Sequence, residues 1–189
     1  AENTNKTSIE RKGRLLIPVT NPATAEGIVE MAMMMRRNSK DESLYALYVR
    51  NDDSKVTREV GEIALRKAKK AASAVDVDMH TLERYDINTV AGIVNVVKER
   101  NITDIILGMH IKSAIVDSFF GGTIDRIVSS LNKMIVITRC YIPVNTLRRL
   151  VVAVPAKAEY ETGFELWVMR IAGIAQKVGC KIFFCAHHD

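Results

Sequence analysis

Short apolar runs alternate with amphipathic segments along most of the chain, and this alternation limits the folds that it can adopt. The runs predicted as strands are residues 14–19, 44–49, 77–82, 103–108 and 134–138. Between them, apolar residues recur every three or four positions, as in helices with one buried face. The order βαβαβαβαβ predicts parallel strands with right-handed helical crossovers. The strands are continuously apolar, so we expect a doubly wound α/β sheet covered on both faces.

The boundaries of three helices are marked in the sequence. Asn21 is a favourable N-cap and Pro22 suits a first helical position, so the first helix is predicted to begin there. The helix before the fourth strand is predicted over residues 88–100. The helix before the last strand is predicted to begin at about Tyr160 and to end at about Val178.

The strand–helix–strand pattern begins again after residue 147, which indicates an internal repeat. Arg149 lies 135 residues after Arg14, and at this offset residues 182–184 fall on residues 47–49 without a gap. We therefore predict a duplication whose second copy stops after its second strand. The expected organisation is a flexible arm, a complete domain, a linker and a truncated second copy, at residues 1–13, 14–140, 141–147 and 148–189.

Charge is spread along the chain instead of forming a nucleic-acid surface. The formal net charge is +5, and the densest basic group comprises Arg66, Lys67, Lys69 and Lys70 on a helical pattern. We interpret this group as a solvated helix face, with a binding patch as the alternative. Aromatic residues make up 6% of the chain and do not interleave with the basic ones, so no nucleic-acid partner is expected.

The three cysteines indicate a reducing compartment and no metal site. Their odd number and irregular spacing argue against a disulfide framework. Cys180 and Cys185, near His187 and His188, invite a zinc interpretation, but residues five apart on a strand face opposite ways. No apolar run approaches the roughly 18 residues of a membrane span, and the polar start of the chain is unlike a signal peptide. We therefore expect a cytoplasmic location, with the cytoplasmic face of a membrane protein as the alternative.

Three segments resemble the universal stress protein family. They are the opening strand Leu-Leu-Ile-Pro-Val at residues 15–19, the segment Lys-Glu-Arg-Asn-Ile-Thr-Asp-Ile-Ile-Leu-Gly at residues 98–108, and the loop from Gly108 to Gly121 before a helix and a short fifth strand. The resemblance covers about residues 14–139, and residues 148–185 are similar to the front of a second copy. It implies an adenine-nucleotide α-hydrolase-like sheet of five parallel strands in the order 3-2-1-4-5.

The resemblance also implies where a nucleotide would bind. Nucleotide-binding members carry a loop of the form G-x2-G-x9-G-[S/T], in which backbone N–H groups approach phosphate at a helix start. Here Gly108 and Gly121 match, Ile111 replaces the middle glycine, Gly122 stands where Ser or Thr is expected, and Thr123 follows one residue late.

Two further positions complete the set of candidate binding residues, which is Gly108, Lys112, Gly121, Gly122, Thr123 and Thr20. Thr20 stands in the place of the acidic residue that the family uses near adenine, and Lys112 could neutralise phosphate. Three interpretations remain open: a working loop for ATP or another adenine nucleotide, a degenerate loop kept for turn geometry and helix packing, and a site for another small anion.

The sequence gives little support for catalysis. It contains no P-loop, no G-x-G-x-x-G, no H-E-x-x-H and no G-x-S-x-G. His110 follows the fourth strand, where α/β enzymes place reactive groups, but the family often has a histidine there without a catalytic role. We therefore expect a binding protein and no enzyme, with a slow ATPase as the enzyme-class alternative.

Two functions fit these features. The first is a non-catalytic regulatory or sensory module, similar to the cytoplasmic C-terminal region of bacterial sodium/proton antiporters, with an upstream transmembrane transporter domain as partner. The alternative is a free-standing tandem universal stress protein that binds ATP. In both cases the predicted edge strand Met134–Thr138 is expected to pair with a second copy, because an uncovered apolar edge invites association.

Overall fold

The structure is a computed structural model that describes residues 13–36, 42–109, 122–140 and 142–186. Its strands and helices, in chain order, are β1 (Arg14–Pro18), α1 (Ala25–Met35), β2 (Ser43–Arg50), α2 (Lys55–Ser73), β3 (His80–Tyr85), α3 (Thr89–Glu99), β4 (Asp104–Gly108), α4 (Gly122–Ser130), β5 (Met134–Thr138), β6 (Arg149–Val154), α5 (Phe164–Val178) and β7 (Lys181–Ala186). Short 3₁₀ turns lie at Val144–Thr146 and Ala158–Tyr160. All but one residue of the arm predicted at residues 1–13 lie outside the described ranges.

The first five strands form one parallel sheet in the order β3-β2-β1-β4-β5. This arrangement confirms the predicted doubly wound sheet and its strand order. The chain leaves β1 toward β2 on one side, and it later returns to the other side of β1 as β4. The order of the strands therefore reverses between β1 and β4, which makes their carboxyl ends the switch point where such sheets bind ligands.

Both faces of this sheet are buried at its central strands, as their continuously apolar sequences predict, whereas four of the six residues of the edge strand β3 are exposed. Leu15 and Ile17 of β1 belong to the core beneath α1 and α2. Leu16, between them, belongs to a second core that includes Ile93 of α3 and Ile127 of α4. Successive residues of one strand thus serve opposite cores, and all three β1 residues are almost completely inaccessible to solvent.

The prediction that the first helix begins at Asn21 and Pro22 is wrong by about three residues. The side-chain oxygen of Asn21 accepts a hydrogen bond from the backbone N–H of Ala23 at 2.8 Å, and its carbonyl oxygen accepts one from the N–H of Thr24 at 3.1 Å. Asn21 therefore organises a turn before the helix, and α1 begins at Ala25.

The third strand also begins later than predicted, because residues 74–77 complete the end of α2. The N–H of Val77 bonds to the carbonyl of Ala72, and that of Asp76, in the left-handed region at φ 55°, bonds to the carbonyl of Ser73. These two bonds form a Schellman cap, which uses the backbone that the apolar pattern had assigned to the strand. Pairing with β2 starts at His80.

The repeated segment folds as the strand–helix–strand unit that the pattern predicts. Strands β6 and β7 pair in parallel as a separate two-stranded sheet. The helix between them begins at Phe164 and not near Tyr160, because Gly163 adopts φ 96° and residues 158–160 form a 3₁₀ turn. Helix α5 packs against α1 of the first unit.

The repeat is not free of gaps, contrary to the sequence prediction. Arg14 pairs with Ser43 in the first unit, whereas Arg149 pairs with Lys181 in the second. The offset is therefore 135 residues for the first strand of each unit and 138 for the second, and the second unit holds three more residues between its strands. Whether the two units arose by duplication stays a prediction.

Strand β5 lies at the outer edge of the described five-stranded sheet, next to β4. Its five residues are all half-buried. This is the position that the sequence assigns to pairing with a second copy, and that homodimer stays a prediction.

Candidate functional site

A cleft of about 330 Å³ opens at the carboxyl ends of β1 and β4, at the switch point of the sheet. It is lined by Pro18, Thr20, Thr89, Ile93, Leu107, Gly108, Gly122, Thr123, Ile124 and Ile127. Volumes of roughly 300–1,000 Å³ are typical of small-molecule sites. The cleft therefore has the position and the size of a ligand site.

The cleft brings together four of the six predicted binding residues. Thr20, Gly108, Gly122 and Thr123 all line it. Lys112 and Gly121 lie outside the described residues, as do His110 and Ile111. The sequence analysis assigned these residues to one binding site, although they lie up to about a hundred positions apart. The structure brings the four described residues together around the cleft.

The end of β1 forms one wall of the cleft. Pro18 is the last strand residue and has no N–H to donate, but the N–H of Val19 bonds to the carbonyl of Leu47 at 2.8 Å and extends the pairing with β2. The chain then turns away, and Thr20 is left exposed at the rim. A threonine hydroxyl both donates and accepts hydrogen bonds, so Thr20 can bind a sugar hydroxyl or a base nitrogen.

Gly108 ends β4 where helix α1 comes close to the strand. A Cβ atom on Gly108 would lie 3.1 Å from Cδ1 of Ile28, which is tighter than most side-chain contacts. The next residue continues the ladder, because the N–H of Met109 bonds to the carbonyl of Thr138 at 2.8 Å. Gly108 therefore has a packing role that is independent of any ligand.

The start of α4 forms the wall opposite β1. Gly122 is the first described residue of the helix, and a Cβ on it would meet no described atom within 4 Å. No described neighbour therefore requires a glycine there, and the absence of a side chain leaves this wall of the cleft open. The N–H groups of the first helical turn carry a partial positive charge that favours an anionic ligand group.

The described lining of the cleft combines hydroxyl groups, backbone groups and apolar side chains. Its polar side chains are the hydroxyls of Thr20, Thr89 and Thr123, and its remaining side chains are apolar or absent. A ligand there would be held by hydroxyl groups, backbone groups and apolar contact. Thr89 was missed by the sequence analysis, although it begins α3 directly after β3 and its position beyond a strand end was the available signal.

A second and larger cleft of about 580 Å³ lies at the other end of the strands, at their amino ends. The sequence analysis did not predict this cleft. It opens beside the amino ends of β4 and β5 and is closed on one side by the start of α5, with Asp104, Lys133 and Trp167 among its lining residues. Residues of both units line this cleft, which therefore depends on the packing of the second unit against the first. The sequence pattern of either unit alone could not predict it.

Among the described residues, no three His, Cys, Asp or Glu side chains come together as metal ligands would. None of the helices in the described part of the chain is both long and apolar enough to cross a bilayer.

Comparison with known proteins places the first unit in a family. The family model for the universal stress protein family matches residues 13–139, about two thirds of the chain. The comparison of this chain with curated proteins found no match.

Solved structures of this family share the fold of the first unit. A universal stress protein from Archaeoglobus fulgidus aligns with a TM-score of 0.57 and 13% identity over 66% of this chain and 97% of that one. The Archaeoglobus fulgidus protein in complex with dAMP gives 0.54 and 12% over 66% and 96%. A universal stress protein in complex with cAMP gives 0.53 and 12% over 68% and 97%. These identities establish a common fold alone. With the match of the family model over most of the first unit, they lead to one conclusion: the chain belongs to the universal stress protein family.

Proposed function

We propose that the chain is a non-catalytic sensory module that binds an adenine nucleotide in the cleft between β1, β4 and α4. The observation that carries this proposal is the described lining of that cleft. It offers three threonine hydroxyls, backbone groups and a helix start, and none of its described side chains is an acid or a base. Such a site can hold a nucleotide but offers little to activate it for reaction.

Relatives with the same fold support adenine as the ligand class. One Archaeoglobus fulgidus universal stress protein structure contains dAMP and another family structure contains cAMP. In this chain, Thr20, Gly122 and Thr123 line the cleft at the carboxyl ends of β1 and β4. The adenosine part would lie against the apolar wall that includes Ile93 and Leu107, and the phosphate would lie at the start of α4.

We further propose a preference for one phosphate group over three. Ile111 stands where nucleotide-binding relatives have the middle glycine of the loop. A β-branched side chain keeps the backbone away from a phosphate chain, so contacts to the second and third phosphates should suffer first. This preference separates the proposal from the alternative of a free-standing tandem protein that binds ATP.

Titration calorimetry of the full chain with AMP, cAMP and ATP tests the proposal. We expect saturable heat with AMP and weaker binding of ATP. The variant Thr20→Trp should fill the cleft mouth and weaken AMP binding at least about tenfold. Thr81→Trp, at an exposed site on β3 that does not line the cleft, is the matched control and should bind like the unmodified chain.

Three results would count against this assignment. No heat with any nucleotide at millimolar concentration would mean that the loop is degenerate and kept for packing, which fits the small space that Ile28 leaves for a side chain at Gly108. Tighter binding of ATP than of AMP would favour the tandem ATP-binding alternative. Phosphate release that depends on magnesium would instead indicate the ATPase that we do not expect.

We propose a membrane transporter as the system that this module regulates, in the manner of the C-terminal region of a sodium/proton antiporter. The resemblance of the sequence supports this role, together with a cleft whose described lining carries no acid or base. Transport chemistry would lie in the partner domain and ligand sensing in this chain. Sequencing the natural gene tests the idea, because a reading frame without membrane-spanning segments ahead of residue 1 would exclude it.

A further inference from the structure

Two carboxylates are buried where the two units of the chain meet. Glu42 precedes β2 and Asp104 begins β4, and their side chains are 0% and 6% exposed. Both lie at the amino ends of the strands of the five-stranded sheet, away from the cleft at the carboxyl ends of β1 and β4. Buried carboxylates are costly unless positive charge and hydrogen-bond donors accompany them.

The cation that serves both carboxylates comes from the second unit. Nη2 of Arg170, on α5, lies 2.8 Å from Oε1 of Glu42 and 3.1 Å from Oδ2 of Asp104. Nη1 of the same guanidinium donates to the carbonyl oxygen of Met35 at 3.0 Å. The Arg170 side chain is only 3% exposed, so its charge has been taken out of water to make these contacts.

The groups around this contact are complementary in charge. Arg36 supplies a second guanidinium, with Nε 3.8 Å from Oε2 of Glu42, and the hydroxyl of Thr103 lies 2.6 Å from Oδ2 of Asp104. Burial opposes the charge on Arg170, but its hydrogen bond to Glu42 and the charges of Asp104 and Glu42 raise its pKa overall. Arg170 therefore remains protonated within the interface.

A second cation of α5 binds the end of α1. Nζ of Lys177 donates to the carbonyl oxygens of Met33 at 2.9 Å and Arg36 at 2.7 Å. Met33 lies in the last turn of α1 and Arg36 is the residue that follows the helix, where carbonyls lack partners within the helix and carry partial negative charge. Lys177 of the second unit thus caps the carboxyl end of α1 in the first unit.

The two cations lie seven residues apart, which is two helical turns and therefore one face of α5. Gly173 lies between them, and a Cβ on it would be 3.6 Å from the carbonyl oxygen of Met34. Ile174 joins the core beneath α1 and α2. One face of α5 therefore combines an arginine, a lysine and an apolar contact against a matching surface of the first unit.

We propose that the end of α1 with Glu42 and Asp104 is a docking surface specific for the arginine and lysine of α5, and that it makes the two units unfold together. Without Arg170, two buried carboxylates lose their shared cation. The first unit would then be destabilised by its own acidic residues, even though each of its strands and helices is unchanged. This inference does not depend on nucleotide binding.

The lone tryptophan, Trp167 on α5, permits a direct test on the full chain. Urea unfolding is followed by Trp167 fluorescence, which reports the second unit, and by far-ultraviolet circular dichroism, which is dominated by the first. We expect coincident transitions for the unmodified chain. Arg170→Met should lower the midpoint by about 1–2 M urea. Lys181→Met, which removes an exposed cation of β7, is the control and should leave it unchanged.

A triple variant distinguishes charge from lost packing. Glu42→Gln and Asp104→Asn, added to Arg170→Met, remove the charges that need compensation, and we expect at least half of the lost midpoint to return. If Arg170→Met fails to fold, a folded triple variant supports the proposal and an unfolded one overturns it. The proposal is also overturned by non-coincident transitions in the unmodified chain, by an Arg170→Met midpoint equal to that of Lys181→Met, or by a triple variant no more stable than the single one.

Discussion

Two glycines on helices of the first unit differ in how closely they approach the sheet. A Cβ on Gly92 of α3 would lie 2.5 Å from Cγ1 of Val49, whereas one on Gly27 of α1 would have no described atom within 4 Å. We expect Gly92→Ala to lower the free energy of unfolding by about 1–3 kcal/mol, because overpacking outweighs the better helix propensity. Gly27→Ala should raise it by about 0.5–1 kcal/mol. Urea denaturation measures both, and a Gly92→Ala variant as stable as the unmodified chain would contradict this packing.

At the scale of single residues, the sequence located the polar rim of the cleft but not its walls. Gly108, Gly122 and Thr123 were identified from the loop pattern of the family, and Thr20 because it stands in the place of the family's acidic residue near adenine. Ile93 and Leu107 were not singled out, because an apolar side chain looks the same in a sequence whether it faces a core or a cleft. Arg170 was not singled out at all, because its partners lie 128 and 66 residues away.

At the scale of elements, the connection from β3 to α3 depends on one carboxylate. Asp86 accepts hydrogen bonds from the side chains of Asn95 and Arg84 and from the N–H of Ile87, each at 2.9 Å. These bonds, with that from Asn95 the largest cause, hold the pKa of Asp86 below its ordinary value.

A carboxylate with a lowered pKa stabilises the fold only while it is ionised. Its contribution is complete above the unfolded pKa of about 3.9, and it is lost as the pH falls through the lower folded value. We therefore expect Asp86→Asn to be less stable than the unmodified chain at pH 7, with a smaller difference at pH 3. Urea midpoints at the two pH values give the answer, and a difference that does not change with pH would refute this role of Asp86.

Most elements could be predicted from apolar periodicity, but several of their ends could not. The start of α1 was placed too early because Asn21 can cap a helix or form a turn, and the sequence alone does not choose between them. The start of β3 was placed too early because Val77 is apolar in both a strand and a Schellman cap. The offset predicted between β2 and β7 was wrong by three residues, because three extra residues before a strand do not disturb an apolar pattern.

At the scale of the whole molecule, the sheet of the second unit exposes apolar side chains. Val151 and Phe183 are paired across β6 and β7 and are 67% and 46% exposed. We expect this face to take part in self-association, so Phe183→Glu should reduce the mass measured by light scattering. Tyr160→Glu, at an exposed site outside the sheet, is the control. An equal mass for the unmodified chain and Phe183→Glu would show that the face is not used.

The two clefts lie at opposite edges of one sheet, and the proposed function depends on the smaller of them. The larger one has more room and carries charged groups, so volume alone would favour it. The choice of the smaller cleft rests on its place at the switch point and on its threonine and backbone groups. Whether an adenine nucleotide binds in the smaller cleft is therefore the central question about this protein.

Backbone amide NMR of the full chain during titration with AMP answers it most directly. The account predicts that the largest shifts fall at Thr20, Gly108, Gly122 and Thr123, and that Lys133 and Trp167 in the other cleft change little. Shifts centred on Lys133 and Trp167, or no shifts at millimolar AMP, would contradict it.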